Sequence, residues 1–230
     1  ETERVPHTIP RDWSPTFWEA SYSVGGRSLG LPTAFPAGQT AGTPTEGITA
    51  EALWVGVGAE PDFLGRDVEG KAVIIYSTFV PGGRSHSASD RAGIFGANTR
   101  ASQLGAAMII NVMGVPGNAQ FNPLGAPSAD YGVPLITLSQ DDGFALRDAL
   151  GAGETVEIRL KLDIEIRENV PTANVFARLP GASEEVIVIA VHTDGYFQAS
   201  MDNASGMASA LEIARHYAAM PQADRPRTLL

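Results

Sequence analysis

The sequence predicts an α/β protein, and three observations carry that prediction. Val186 to Val191 is an unbroken apolar run without alternation, the pattern of a strand covered on both faces by helices. Val156 to Arg167 alternates strictly, with Val156, Ile158, Leu160, Leu162, Ile164 and Ile166 on one side and charged residues on the other. Ile94 to Leu104 is helix-compatible and stops at Gly105, just before the apolar strand Ala107 to Val112. The expected organisation is a partial α/β sheet domain over residues 166–230, with an α+β unit inserted ahead of it over 50–165.

Residues 1–49 read as an irregular segment that packs on something else. Trp13, Phe17 and Trp18 sit among Pro6, Pro10, Pro15, Gly25, Gly26, Pro32 and Pro36, with one short amphipathic turn expected near Thr16 to Ala20. Leu53 to Val57 and Ala72 to Tyr76 are short strands, and Asp67 to Gly70 turns the chain before the second. Pro81 to Asp90 is rich in Gly and Ser and reads as a mobile loop. Val133 to Leu138 is another strand, and Gln140 to Leu150 a second helix ending at Gly151. After Asn169 the pattern changes: Ala173 to Ala177 reads as a short separate strand and Pro180-Gly181 as a turn. Met207, Leu211, Ala214 and Tyr217 or Ala218 then recur at helical spacing, and Arg227 to Leu230 looks like the start of a further strand.

The 230 residues are 43% hydrophobic, enough for a real core, and Gly plus Pro number 41, which favours many turns over a helical bundle. Sixteen Lys and Arg against 26 Asp and Glu leave a net charge of −10, which opposes binding to phosphate backbones, so nucleic acid is not expected as a partner. No apolar run is long enough to span a membrane. The absence of cysteine leaves His, Asp and Glu as the strong metal-ligating side chains. The chain opens on Glu1 without a charged-then-apolar leader, which leaves export open.

The densest chemistry lies at His192-Thr193-Asp194, directly after the apolar run, and at Asp202-Asn203-Ala204-Ser205-Gly206, where the next helix begins. Strand C-termini and the following helix N-termini line the ligand crevice of α/β sheets. A neutral imidazole suits zinc, a carboxylate two residues on can orient it, and Asp202 can bring an oxygen ligand back to the same spot. Taken singly, each has a plainer reading: His192 as a buried, hydrogen-bonded histidine and Asp202 as a helix N-cap. Their conjunction favours a metal. Ser85-His86-Ser87 with Asp90 reads as a Ser-rich loop rather than a triad, His216 and His7 as peripheral histidines, and Gly56-Val57-Gly58 as too short for a dinucleotide fingerprint.

This pattern resembles the co-catalytic zinc aminopeptidases and glutamate carboxypeptidase-like proteins of peptidase family M28, whose signature is H-x-D followed by G-A-x-D-N-x-S-G. The resemblance implies that His192 is a zinc ligand, Asp194 the catalytic carboxylate that orients it, and Asp202 the ligand bridging two zinc ions. Ala199 and Ser200 depart from the family's Gly and Ala. The middle segment is similar to the protease-associated domain this family inserts: Asp67 to Ile75 matches its D-V-x-G-K strand, Ala101 to Ile110 its A-x-x-x-G-A unit, and Val133 to Ile136 its V-P-x strand.

What the resemblance implies is a zinc exopeptidase, of aminopeptidase or carboxypeptidase type, that attacks terminal peptide bonds with a water activated by two Zn2+ ions. A peptide substrate, a secreted or periplasmic location and a possible homodimer go with it. The family's Glu-Glu base and its later Asp and His have no counterpart here, since Glu184-Glu185 precedes the site and reads as solvated surface. With two ligands where a catalytic zinc wants three, these residues by themselves are expected to be hydrolytically silent. The rival expectations are a receptor-like protein with a decayed site and a peptide-docking module.

Overall fold

The computed structural model of the chain describes residues 2–80, 84–85, 96–120, 131–195 and 200–230. It divides into two units: Glu1–Asp12 with Arg167–Leu230, and Trp13–Ile166. Two long strands, β1 (Thr2–Val24) and β10 (Val156–Ala177), have residues in both.

The first finding corrects the reading of residues 1–49 as irregular. Thr2–Val24 is one strand, and Thr16 to Ala20 lie within it rather than in a helical turn. Only Ser21 to Val24 pair with β2 (Arg27–Gly30), so over its prolines β1 is free of that neighbour. A proline on an open strand edge costs no ladder bond when the side lacking N–H faces outward. The tryptophans are spent locally: Trp13 Nε1 donates to the Thr40 carbonyl and Trp18 Nε1 to that of Ala34, both at 2.9 Å. Trp18 also meets Phe35 edge-on, with ring centroids 5.4 Å apart, at the start of β3 (Phe35–Pro36).

Strand β4 (Ile48–Trp54) leads through the four-residue helix α1 (Glu60–Phe63) to β5 (Ala72–Ser77). The turn between them needs Gly58: its φ is +74°, and a β-carbon there would stand 2.5 Å from that of Ala97. The Gly56-Val57-Gly58 pattern is therefore a tight turn. A small antiparallel pair follows, β6 (Phe79–Val80) with β7 (Arg84–Ser85). Most of the expected loop Pro81 to Asp90 lies outside the described residues, as do His86, Ser87 and Asp90.

Helix α2 (Ala97–Gln103) ends as expected, with Gly105 at φ +83° directly after the cap residue Leu104. Strand β8 (Met108–Met113) and β9 (Leu135–Leu138) follow, then α3 (Gln140–Gly151). Ser139 caps α3 by accepting the Asp142 N–H on its Oγ at 3.2 Å.

In the eight-stranded sheet the order is β2-β1-β10-β4-β5-β8-β9-β3. Strands β4, β5, β8 and β9 are parallel, while β10 joins β4 and β3 joins β9 antiparallel. The parallel strands are covered on both sides, which is why they read as continuous apolar runs. Ala72, Ile74, Met108, Ile110, Val112 and Ile136 pack with Leu146 of α3 and the inward residues of β10. Val73, Ile75, Ile109 and Leu135 pack instead with Phe63, Ala97 and Ala101.

Along β10 the alternation buries Val156, Ile158, Leu160 and Leu162, whereas Ile166 is exposed. The strand runs on to Ala177, so Ala173 to Ala177 is its end rather than a separate strand. The change of character seen in the sequence coincides with Asn169, whose φ is +53°. That irregularity interrupts the pattern without ending the strand.

The remaining elements are β11 (Val186–Ile187), helix α4 (Gly206–Ala218) and β12 (Thr228–Leu229). The run Val186 to Val191 was expected to be covered on both faces. Instead Val188 is 65% exposed, and Val186, Ile187 and Val191 are exposed as well. Its strand neighbour is β12, and α4 buries none of its own residues, so among the described residues nothing supplies two covering layers. No helix among the described residues is long and apolar enough to cross a membrane.

Candidate metal site

Strand β11 pairs in parallel with β12, and the pairing extends beyond it: Leu230 N–H donates to Ile187 at 2.9 Å and Ile189 N–H to Leu230 at 2.8 Å. His192 follows Ile189 three residues later, beyond the two-residue strand β11. On the other side, Ser200–Ser205 forms a wide helical turn ahead of α4, in which Asp202 takes the non-helical angles φ −116°, ψ 92°. This departure from the helix swings Asp202 back toward the strand end.

The structure brings all three expected residues together. His192 Nε2 lies 3.0 Å from Asp202 Oδ1. His192 Nδ1 meets both the main-chain carbonyl of Asp194, at 2.9 Å, and its Oδ1, at 3.1 Å. The imidazole thus contacts Asp194 through one nitrogen and Asp202 through the other. The hydrogen bond to the Asp194 carbonyl raises the His192 pKa above the ordinary histidine value; burial opposes it, and the charges of Asp194 and Asp202 add to the rise.

The plainer readings do not describe this geometry. The His192 side chain is hydrogen-bonded but 53% exposed, so it is no buried core histidine. The N-cap residue of α4 is Ser205, three residues beyond Asp202. Elsewhere, Glu185 is spent on an exposed ion pair with Arg227 at 2.7 Å. His216 sits edge-on to Tyr217, and His7 is exposed in β1. Ala199 lies outside the described residues.

Two residues of the Asp202 motif have roles that the sequence reading left unassigned. Asn203 Nδ2 donates to the His192 carbonyl at 3.2 Å, tying the helix approach to the strand end. Gly206 makes room for that carboxamide, since a β-carbon at 206 would stand 2.0 Å from Asn203 Oδ1. The signal was their fixed position after Asp202, but nothing local shows which partner Asn203 takes.

As a donor set, one imidazole nitrogen and one carboxylate oxygen suit zinc. Two such donors on one tetrahedral zinc stand about 3.4 Å apart, so the 3.0 Å separation here needs only a small side-chain rotation to admit an ion. Among the described residues no third His, Asp or Glu joins them.

Residues 174–229, which contain the whole constellation, match the model of Peptidase family M28. That segment is similar to the M28 peptidases. Over 177 residues it is 27% identical to Carboxypeptidase Q of Bos taurus, covering 74% of this chain and 36% of that protein. The crystal structure of a Peptidase M28 precursor from Shewanella amazonensis SB2B superposes with a TM-score of 0.77 at 19% identity, over all of this chain and 53% of that one. BSAP, a zinc aminopeptidase from Bacillus subtilis, superposes at 0.66 and 20% identity, over all of this chain and 50% of that one. These superpositions establish the shared mixed α/β fold. The chain spans about a third of the length of the curated relative and about half that of the two solved structures.

Proposed function

We propose that this chain is part of a zinc-dependent exopeptidase of aminopeptidase or carboxypeptidase type, with His192 and Asp202 as zinc ligands and Asp194 as the carboxylate that sets the imidazole. The observation that carries this reading is the bidirectional contact of one ring: Nε2 to Asp202 at 3.0 Å, Nδ1 to Asp194. Asp194 keeps the Nδ1 proton on its own side, which leaves Nε2 with a free lone pair for the cation. Asp202 contributes negative charge next to it and, as the bridging residue, would serve two ions.

Zinc, when bound, supplies Lewis acidity and a water acidified to about pKa 7 for attack on a peptide carbonyl. The match to M28, Carboxypeptidase Q's likeness and the BSAP fold all support a peptide as substrate. We further read residues 50–165 as a protease-associated insertion: the D-V-x-G-K run leads into β5, the A-x-x-x-G-A unit joins α2 to β8, and V-P-x opens β9. A secreted or periplasmic location goes with this reading. The His192, Asp194 and Asp202 arrangement is intact, which argues against a decayed, receptor-like site.

Zinc titration of the intact protein by calorimetry tests the assignment. Two equivalents should bind, and His192→Ala or Asp202→Ala should abolish binding of at least one. An intact protein that takes up no zinc would refute the proposal. Comparing a free-amino aminoacyl anilide with an N-blocked dipeptide then separates the aminopeptidase from the carboxypeptidase form.

A further inference from the structure

Helix α4 presents a mechanical problem. It follows directly on the turn that carries Asp202, yet it buries none of its residues, and Leu211 is 65% exposed. Apolar packing among the described residues therefore does little to set its direction. Something else must hold it, because a 13-residue helix is about 20 Å long and a small tilt at one end displaces the other.

Arg225 is the group placed to do so. It is only 8% exposed, in a unit whose other buried residues are few. Its guanidinium donates to three main-chain carbonyls: from Nε to Pro180 at 2.9 Å, and from Nη1 to Met220 at 2.7 Å and Tyr217 at 3.2 Å. Tyr217 lies in the last turn of α4 and Met220 two residues past its end, where carbonyls lack the next helical turn's donors and the helix dipole is negative. Pro180 belongs to the turn that precedes β11, the strand leading to His192.

The same turn is tied to the chain around Arg225 and to β12: Ala182 N–H donates to the Arg225 carbonyl at 2.7 Å and Gly181 N–H to the Thr228 hydroxyl oxygen at 3.0 Å. One rigid planar fork thus joins the far end of the Asp202 helix to the root of the His192 strand. Asn203 holds the near end through the His192 carbonyl.

We propose that Arg225 is a positioning residue for the His192–Asp202 pair, acting as the second of two mounting points of α4. The inference rests on the zinc reading for its functional consequence, but its structural half stands independently. In the intact protein, Arg225→Met should lower zinc affinity at least tenfold with the number of sites unchanged. Hydrogen exchange should speed up at least tenfold across 206–218 while the amides of β5 and β8 keep their protection. Arg225→Lys, which keeps charge and donors but not the fork, should fall between the two.

Arg227→Met serves as the control. It removes an exposed ion pair two residues away and should change neither measurement. Parental zinc affinity together with parental α4 protection in Arg225→Met would overturn the inference while leaving the zinc assignment standing. If the parental protein binds no zinc, the zinc assignment falls, and exchange across 206–218 alone decides whether Arg225 holds the helix. Loss of protection throughout Arg225→Met and Arg225→Lys, β5 and β8 included, would also overturn it, since the role would then be global stability.

Discussion

Gly206 stands against the carboxamide of Asn203, so close that a β-carbon on it would lie 2.0 Å from Asn203 Oδ1. That contact is far inside van der Waals range and involves a side chain already committed to His192. Gly206→Ala should therefore displace Asn203 and break its bond to the strand end, which costs about 0.5–1.5 kcal/mol for the hydrogen bond alone. The expected readout is weakened zinc uptake in calorimetry, matched by Asn203→Ala. Unchanged affinity in both variants would separate the motif's Asn and Gly from the ligand geometry.

In the metal-free protein His192 should titrate above the usual histidine value, chiefly because its ring N–H donates to the Asp194 carbonyl, with the charges of Asp194 and Asp202 adding to it. A raised folded-state pKa means that the imidazolium contacts stabilise the fold below the unfolded value and are lost as pH rises through the raised one. Zinc needs the neutral ring, so its affinity should fall as pH drops through the same raised value. Proton NMR of the ring across pH checks both. Asp194→Asn should lower the pKa without returning it to the ordinary value, because the carbonyl remains.

Thr33 supplies a purely structural test. Its hydroxyl donates to Asp142 and accepts the Ser139 N–H at 3.0 Å, and both Thr33 and Ser139 are buried. Thr33→Val keeps the shape but takes away the acceptor of the buried Ser139 N–H, while Asp142 keeps the main-chain N–H of residue 33, so it should destabilise the protein by about 1–3 kcal/mol. Urea unfolding followed by tryptophan fluorescence would show the lowered midpoint.

Gly143 sits in α3 where the helix meets β8, and a β-carbon there would stand 2.2 Å from Val112 Cγ1. Gly143→Ala would normally favour a helix, by up to about 1 kcal/mol. Here the overpacking should win, with a net loss of about 1–3 kcal/mol. A thermal melt that rises in this variant would mean that α3 can move away from β8 at little cost.

Much of this molecule is legible without coordinates where the information is local. The inward set of β10 through Leu162, the Ser139-capped helix, the Gly105 stop and the strand-end placement of His192 all follow from the pattern of neighbouring residues. The ladder of β1 does not, because its evidence is distant: Asp12 pairs with Arg167, 155 residues away, and the prolines between mislead any local reading. The continuation of β10 past Asn169 was hidden for the same reason. Alternation reports burial, and β10 leaves its covered region before it ends.

The sequence by itself determined which chemical groups would be offered at the strand end and the helix start, and in what order. Only tertiary structure decided that His192 touches Asp194 with one nitrogen and Asp202 with the other, that Asn203 bonds the histidine's carbonyl, and that Arg225 grips the far end of α4. The physical reason is range. Side-chain periodicity and capping act over a few residues of chain, whereas a shared contact between a strand end and a helix depends on how β11, β12 and α4 are mounted on one another.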